Sequence, residues 1–351
     1  MVFSFSENET HFGLKHRKIF FVIPFLYAVH GRAQEDSAKI ISYEDRVMIR
    51  ATADTNIESY TFYTEGNQKE TVLSINNKIK TSVSVDYRII SATLSFAPKF
   101  ISSNKYNPLK GNSAYTDFTV RFFPKRLTQT LYYKNVKGFY VENMQDILPG
   151  WQKNKDAYIQ FPDLRVQTFG GSTAYALNKD FSVKSIYTQG EWQTKSRGSW
   201  TPFLDYDYTI FSDTIAGQKS KETQINIGAN MGYFYNWVIA GKVNIAPYIA
   251  AGLGAKFSSF RDTLEDGTKG MRENTQYLTV RFGSGLHIGY NTDRFLFGGK
   301  MIFNANAYSQ KKNYTVENSN YFGLVYVGYR FAPPKVVKSN YDKLQKKIPI
   351  L

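Results

Sequence analysis

The chain has no cysteine, and that absence removes a disulfide framework, a thiolate metal site and a lipid-modified N-terminal cysteine. Histidine is nearly as scarce, with His11, His16, His30 and His287 making up the full set. Beyond the N-terminus no apolar run approaches the length of a helical membrane span. A mean hydropathy of −0.39 leaves a transmembrane β-barrel open, because only alternate residues of its strands face lipid. What the chain does hold is aromatic side chains, 27 Phe and 26 Tyr in 351 residues, enough to furnish the interfacial girdles of such a barrel.

The N-terminus reads as an export signal. Lys15, His16, Arg17 and Lys18 precede the apolar run "IFFVIPFLYAV" (Ile19 to Val29), and Gly31 and Ala33 place small residues ahead of a cut before Gln34. A buried helix fits less well, since the run is short and contains Pro24. Removal of residues 1–33 takes four basic and two acidic side chains, so the formal net charge falls from +15 to +13. An exported chain without a basic cluster is not expected to bind nucleic acid; a basic envelope protein facing anionic surfaces accounts for the charge.

From about Lys80 onward the pattern is alternation at strand length. In "TQYLTVRFGSGLHIGYN", Leu278, Val280, Phe282, Leu286, Ile288 and Tyr290 share one face, opposite Thr279, Arg281, Gly283, Gly285, His287 and Gly289. "TQINIGANMGYFY" and "KVNIAPYIAAGLGAKF" repeat it, with an apolar face opposite Asn226 and Asn230 in the first and Asn244 and Lys256 in the second. Such segments exceed ordinary soluble strands and fit an all-β antiparallel transmembrane barrel. Twelve strands are expected (range 10–14), starting near residues 79, 90, 114, 127, 163, 180, 198, 222, 241, 275, 294 and 314. Short periplasmic turns are expected at "YRII", "PKRL", "LNKD" and "YNTDR", and longer extracellular loops at Ser102–Ser113, Glu142–Phe161, Asp213–Lys221 and Ser258–Asn274. One count conflicts: "LNKD" and the Asn236–Gly241 turn both read as periplasmic, yet three strands fall between them, where an even number is required.

The organisation is therefore a signal peptide (1–33), a less periodic segment (34–78) forming a periplasmic hairpin or an extra strand, a barrel (79–331) and a basic tail (332–351). The tail holds Pro333, Pro334 and five lysines and is expected to be flexible in the periplasm. The last strand, "YFGLVYVGYRF", ends on an aromatic, as suits recognition by outer-membrane assembly machinery.

"YYKNVKGFYVEN" (Tyr132–Asn143), "FPDLRV" (Phe161–Val166) and "YALNKDFSVKSIYTQGEWQTKSRGS" (Tyr175–Ser199) resemble an uncharacterised family of Bacteroidetes outer-membrane β-barrel proteins, known as a domain of unknown function. The resemblance covers most of the chain after residue 33. It implies a barrel in the cell outer membrane and no established activity.

Chemistry is thin. "SRGSW" superficially resembles the nucleophile region of an outer-membrane phospholipase, but after export His287 is the one base left, and the strand order sets it at the opposite end from Ser196 and Ser199. Asp205 and Asp207 share a strand face, a spacing that raises a pKa or binds a cation in some sites; here no ligand cluster accompanies them, and a wet lumen explains both. Neither a cofactor, a metal nor catalysis is expected. Gln189, Glu191 and Gln193, at alternate positions of "SIYTQGEWQTKSRGSW", are expected to line a lumen with Asp117, Arg121, Asp205, Asp207, Asn226, Asn230, Arg281 and Lys300, and Glu191 to share a network with Arg281. That register turns Lys184 and Trp192 outward. Two functions stay open: a narrow channel or small-solute transporter surrounded by outer-membrane lipid, or an envelope scaffold or surface-binding barrel with a plugged lumen, whose loops bind a partner or surface glycan.

Overall fold

A computed structural model describes residues 40–55, 59–63, 70–215, 217–239, 241–264, 266–310 and 314–348. The expected export signal, residues 1–33, lies outside the described residues. In chain order the elements are β1 (Ile40–Ser42), β2 (Val47–Asp54), β3 (Ser59–Tyr63), β4 (Glu70–Ser74), β5 (Lys80–Tyr87), β6 (Ile90–Phe96), β7 (Ala114–Phe122) and β8 (Leu127–Val141). Next come α1 (Met144–Ile147), β9 (Gln160–Tyr175), α2 (Lys184–Tyr187), β10 (Glu191–Gln193), β11 (Arg197–Ile215) and β12 (Gln218–Ile239). The chain finishes with β13 (Val243–Thr263), β14 (Glu273–Asn291), β15 (Phe295–Gln310), β16 (Tyr314–Phe331) and α3 (Lys335–Lys347).

Twelve strands close one antiparallel barrel in the order β2, β5, β6, β7, β8, β9, β11, β12, β13, β14, β15, β16, with β16 pairing back to β2. Closure removes free edges, which an open sheet of this length would expose. The alternation sorts side chains as strand geometry requires. Ile49, Val85, Leu94, Phe118, Leu131, Phe169, Leu204, Ile227, Leu253, Val280, Met301 and Val327, one from each strand, are exposed on the outside. The facing positions hold Ser84, Thr119, Thr168, Thr209, Asn244 and Thr279, all buried.

The start of β2, the end of β16 and the tight turns gather at one end, here called the terminal end. Tyr87 pairs with Ile90 across a two-residue turn in which Arg88 takes φ 52°, the left-handed geometry that such hairpins demand. The opposite, loop end carries the longer connections and the β3–β4 hairpin, which pairs with the end of β8. There Leu73, Ile75, Phe139, Tyr140, Met144, Tyr158, Val166 and Phe211 form an apolar core that joins loops to the inner wall. Two expected loops are shorter than the sequence suggests. β11 and β12 stay paired to Ile215 and Gln218, turning at Gly217 (φ 81°), and β13 runs on to Thr263.

Three expectations are corrected. No strand starts near 180; residues 176–196 instead fold inward as α2 and β10, which leaves β11 and β12 alone between the two terminal-end turns and restores the even count. The strand so lost is replaced by β2, the extra strand that was one of the two alternatives for the 34–78 segment, while β1 pairs with β10 and β3 and β4 make a hairpin at the loop end; the barrel thus begins at Val47 rather than 79. A helix stands where a flexible tail was expected: Lys335–Lys347 are helical, with Tyr341 buried against Val47 and Tyr87 on the outer wall, 5.2 Å from the Tyr87 ring. Arg88 holds it further, 2.9 Å from Asp342 and donating to Gln345 at 3.0 Å.

Candidate functional site: a plug in the lumen

The polar pattern of residues 182–193 folds as a plug because its side chains find partners in a polar lumen, where no lipid penalises them. Ser182 Oγ donates to Glu191 at 2.6 Å and accepts from the Ser185 amide at 3.0 Å, closing the first turn of α2. Lys184 Nζ lies 3.4 Å from Glu191, and Gln193 Oε1 accepts from the Ser182 amide at 3.0 Å. β10 then pairs with β1, Trp192 facing Ile41, so the segment ahead of the barrel doubles the plug. Lys184 and Trp192, expected outside, are buried at 7% and 5% exposure.

Two arginines on neighbouring strands clamp Gln189, whose backbone takes φ 57°. Arg50 on β2 donates to Gln189 Oε1 at 2.7 Å and to the Tyr187 carbonyl at 3.2 Å. Arg330 on β16 donates to the Gln189 carbonyl, to Asn291 Oδ1 at 2.8 Å and to the Thr292 carbonyl at 2.6 Å. Its guanidinium also stacks 3.9 Å above the Tyr43 ring, whose phenol burial pushes up. On the far side Asn236 donates to Ser185 Oγ at 2.9 Å and accepts from Asn244 at the same distance. Charged and bidentate bonds of this kind are worth about 1.5–3 kcal/mol each when intact, and more is lost when one partner is left buried alone.

Above the plug lies a cavity of about 460 Å³, walled by Phe181, Ile186 and Phe234 on one side and by Arg281, His287 and Lys300 on another. Tyr187 projects into it, 5.4 Å from Lys300 Nζ at its ring; burial pushes this phenol up, opposed by nearby Arg121. Asp117, Arg121, Asp205, Asp207, Asn226, Asn230, Arg281 and Lys300 all project inward from their strands. Gln189, Glu191 and Gln193 are inside as well, but on the plug. The two aspartates are satisfied separately. Asp205 takes Asn230 at 3.0 Å and Arg281 at 3.6 Å, while Asp207 takes Asn226 at 2.8 Å and Thr209 at 3.0 Å. Glu191 is bonded within the plug and Arg281 to the wall, so the expected network joining them is absent among the described contacts.

Sequence reading missed Arg50, Arg330 and Asn236. Each is a polar residue on the inward parity of its strand, which was the available signal. The separation of serine and histidine is also corrected: without a strand at 180, Ser196, Ser199 and His287 share the terminal end. Their hydrogen bonds still run elsewhere. Ser196 Oγ accepts from the Val238 amide at 3.0 Å, Ser199 Oγ accepts from the Asn178 amide at 3.0 Å, and His287 Nε2 meets the Tyr326 hydroxyl at 2.7 Å.

Residues 34–331 match the family model described as "Domain of unknown function (DUF4421)", and the chain belongs to that family. No curated protein matches the sequence. Among solved structures, the outer membrane protease OmpT from Escherichia coli aligns over 83% of this chain and 97% of its own, at 7% identity and a TM-score of 0.34. The outer membrane channel DcaP of Acinetobacter baumannii aligns over 82% and 96%, at 8% identity and a TM-score of 0.19. These likenesses are of barrel architecture alone.

Proposed function

We propose that the protein is an outer-membrane barrel closed at rest by its own plug, which governs access of small solutes to the lumen. The membrane reading is supported by the outer face: every barrel strand contributes an exposed apolar side chain, and Trp200, Tyr233, Trp237, Phe295 and Tyr329 cluster toward the terminal end. A charge at the middle of that face would cost roughly 2–4 kcal/mol. The terminal end then faces the periplasm and the loop end the exterior, in contact with outer-membrane lipid after insertion by the assembly machinery. The single observation carrying the closed state is the double clamp on Gln189 by Arg50 and Arg330, from strands adjacent at the barrel seam. Both hydroxyls of "SRGSW" bond to backbone and His287 to Tyr326, which supports a reading without serine hydrolase chemistry.

A second reading, a scaffold presenting its loops to a partner or glycan, is favoured by the apolar core that stiffens the loop end. Planar-bilayer recording separates the two. The wild type should be silent, and Arg50→Ala/Arg330→Ala should show stepwise conductance. A steadily open wild type overturns the closed barrel; a folded double variant that stays silent transfers the weight to the scaffold.

A further inference from the structure

The outer wall carries a cationic row that neither plug nor cavity uses. Strand pairing aligns Lys137 with Arg165, Arg165 with Ser212, Ser212 with Lys221, and Lys221 with Arg261, across β8, β9, β11, β12 and β13. Four residues nearer the terminal end on each strand, the same pairing aligns Tyr133, Phe169, Tyr208, Ile225 and Phe257. The intervening row is Asn135, Gln167, Ile210, Thr223 and Ser259, so the surface passes from aromatic through mostly polar to basic within four residues. Lys137, Arg165 and Lys221 are exposed and Arg261 is half-buried. Asp163 lies 3.1 Å from Lys137, and Arg165 donates to Asn135 at 2.7 Å. Among the described residues, no side-chain hydrogen bond or ion pair is made by Lys221 or Arg261.

Four residues of a tilted strand rise roughly 9–10 Å along the barrel axis. The headgroup layer outside each hydrocarbon boundary is roughly 5–8 Å deep. A row at that height meets lipid phosphates, and cations on neighbouring strands, roughly 5 Å apart, match a layer of anions better than any one ion. Guanidinium forks favour phosphate oxygens in particular. We infer that Lys137, Arg165, Lys221 and Arg261 form a binding ridge for phosphate-bearing anionic lipid headgroups of the leaflet at the loop end. The inference rests on the membrane-spanning reading.

The test compares wild type, the variant K137Q/R165Q/K221Q/R261Q, and a control of equal charge change in the loops, K99Q/K105Q/K153Q/K155Q. Each is folded into vesicles of phosphatidylcholine alone or mixed with phosphatidylglycerol, and its thermal unfolding followed. Phosphatidylglycerol should raise Tm for wild type and loop control, and the increment should vanish in the ridge variant. Inorganic phosphate added to phosphatidylcholine vesicles should not reproduce it. An increment that survives in the ridge variant, is lost equally in the loop control, or is reproduced by inorganic phosphate overturns the ridge. Should the ridge variant fail to fold, native mass spectrometry of Lys221→Gln and Arg261→Gln decides: each should retain phosphatidylglycerol about fivefold more weakly, and unchanged retention sinks the proposal. A wild type that gains no protease protection in either vesicle defeats the membrane reading itself, and the ridge with it.

Discussion

Arg281 on β14 reaches past β13 and β12 to Asp205 on β11, its Nη1 3.6 Å from the carboxylate. Its path crosses Gly228, where an added Cβ would sit 2.7 Å from the guanidinium carbon. The glycine is a groove for the arginine. Gly228→Ala should therefore displace the flexible end of Arg281 and cost about 0.5–1.5 kcal/mol, read from urea unfolding in detergent. In the Arg281→Met background the same substitution should cost clearly less. Strictly additive losses would show that the glycine serves something else.

Arg330 joins the plug to β16 and the β14–β15 turn through separate guanidinium nitrogens, Nη2 to Gln189 and Nη1 to Asn291 and Thr292. Lysine offers a point charge in place of that fork. Arg330→Lys should recover little of the loss caused by Arg330→Ala, about 2–4 kcal/mol. Full rescue by lysine would mean that charge alone holds the plug.

α3 is held to the outer wall by Tyr341, T-shaped against Tyr87 at 83°, and by the Arg88–Asp342 pair. Tyr341→Ala should release the helix while the barrel stays closed. Hydrogen exchange should accelerate across residues 335–347 by about tenfold or more and remain unchanged in β2 and β5. Equal acceleration in β2 would make α3 an integral part of barrel stability.

Barrel strands were readable wherever outer-face and lumen-facing chemistry differ. Ile225, Ile227 and Met231 against Gln224, Asn226 and Asn230 leave one register. A plugged lumen was one open alternative, but that residues 176–196 leave the wall to form the plug was not readable, because polarity at alternate positions is common to a lumen wall and to a segment buried in the lumen. Gln189, Glu191 and Gln193 satisfy either. What separates them is a helical turn over Lys184–Tyr187 and a positive φ at Gln189, neither of which shows in hydropathy. β2 was obscured by its buried Arg50, which interrupts the apolar pattern of its strand. α3 was hidden by its lysines, although Val337, Tyr341, Leu344 and Ile348 keep the spacing of an apolar helix face.

The central claim is that residues 176–196 fold into the lumen instead of forming a strand of its wall. Ser185 Oγ and Asn236 Nδ2 are 2.9 Å apart, and a chain without cysteine permits an engineered pair free of competing thiols. Ser185→Cys/Asn236→Cys, treated in the folded state with a short bifunctional thiosulfonate that spans a hydrogen-bonded side-chain pair, should be bridged in nearly all molecules and migrate faster on a non-reducing gel, with both thiols then resistant to alkylation. Two freely alkylated thiols in a folded barrel would contradict the plug.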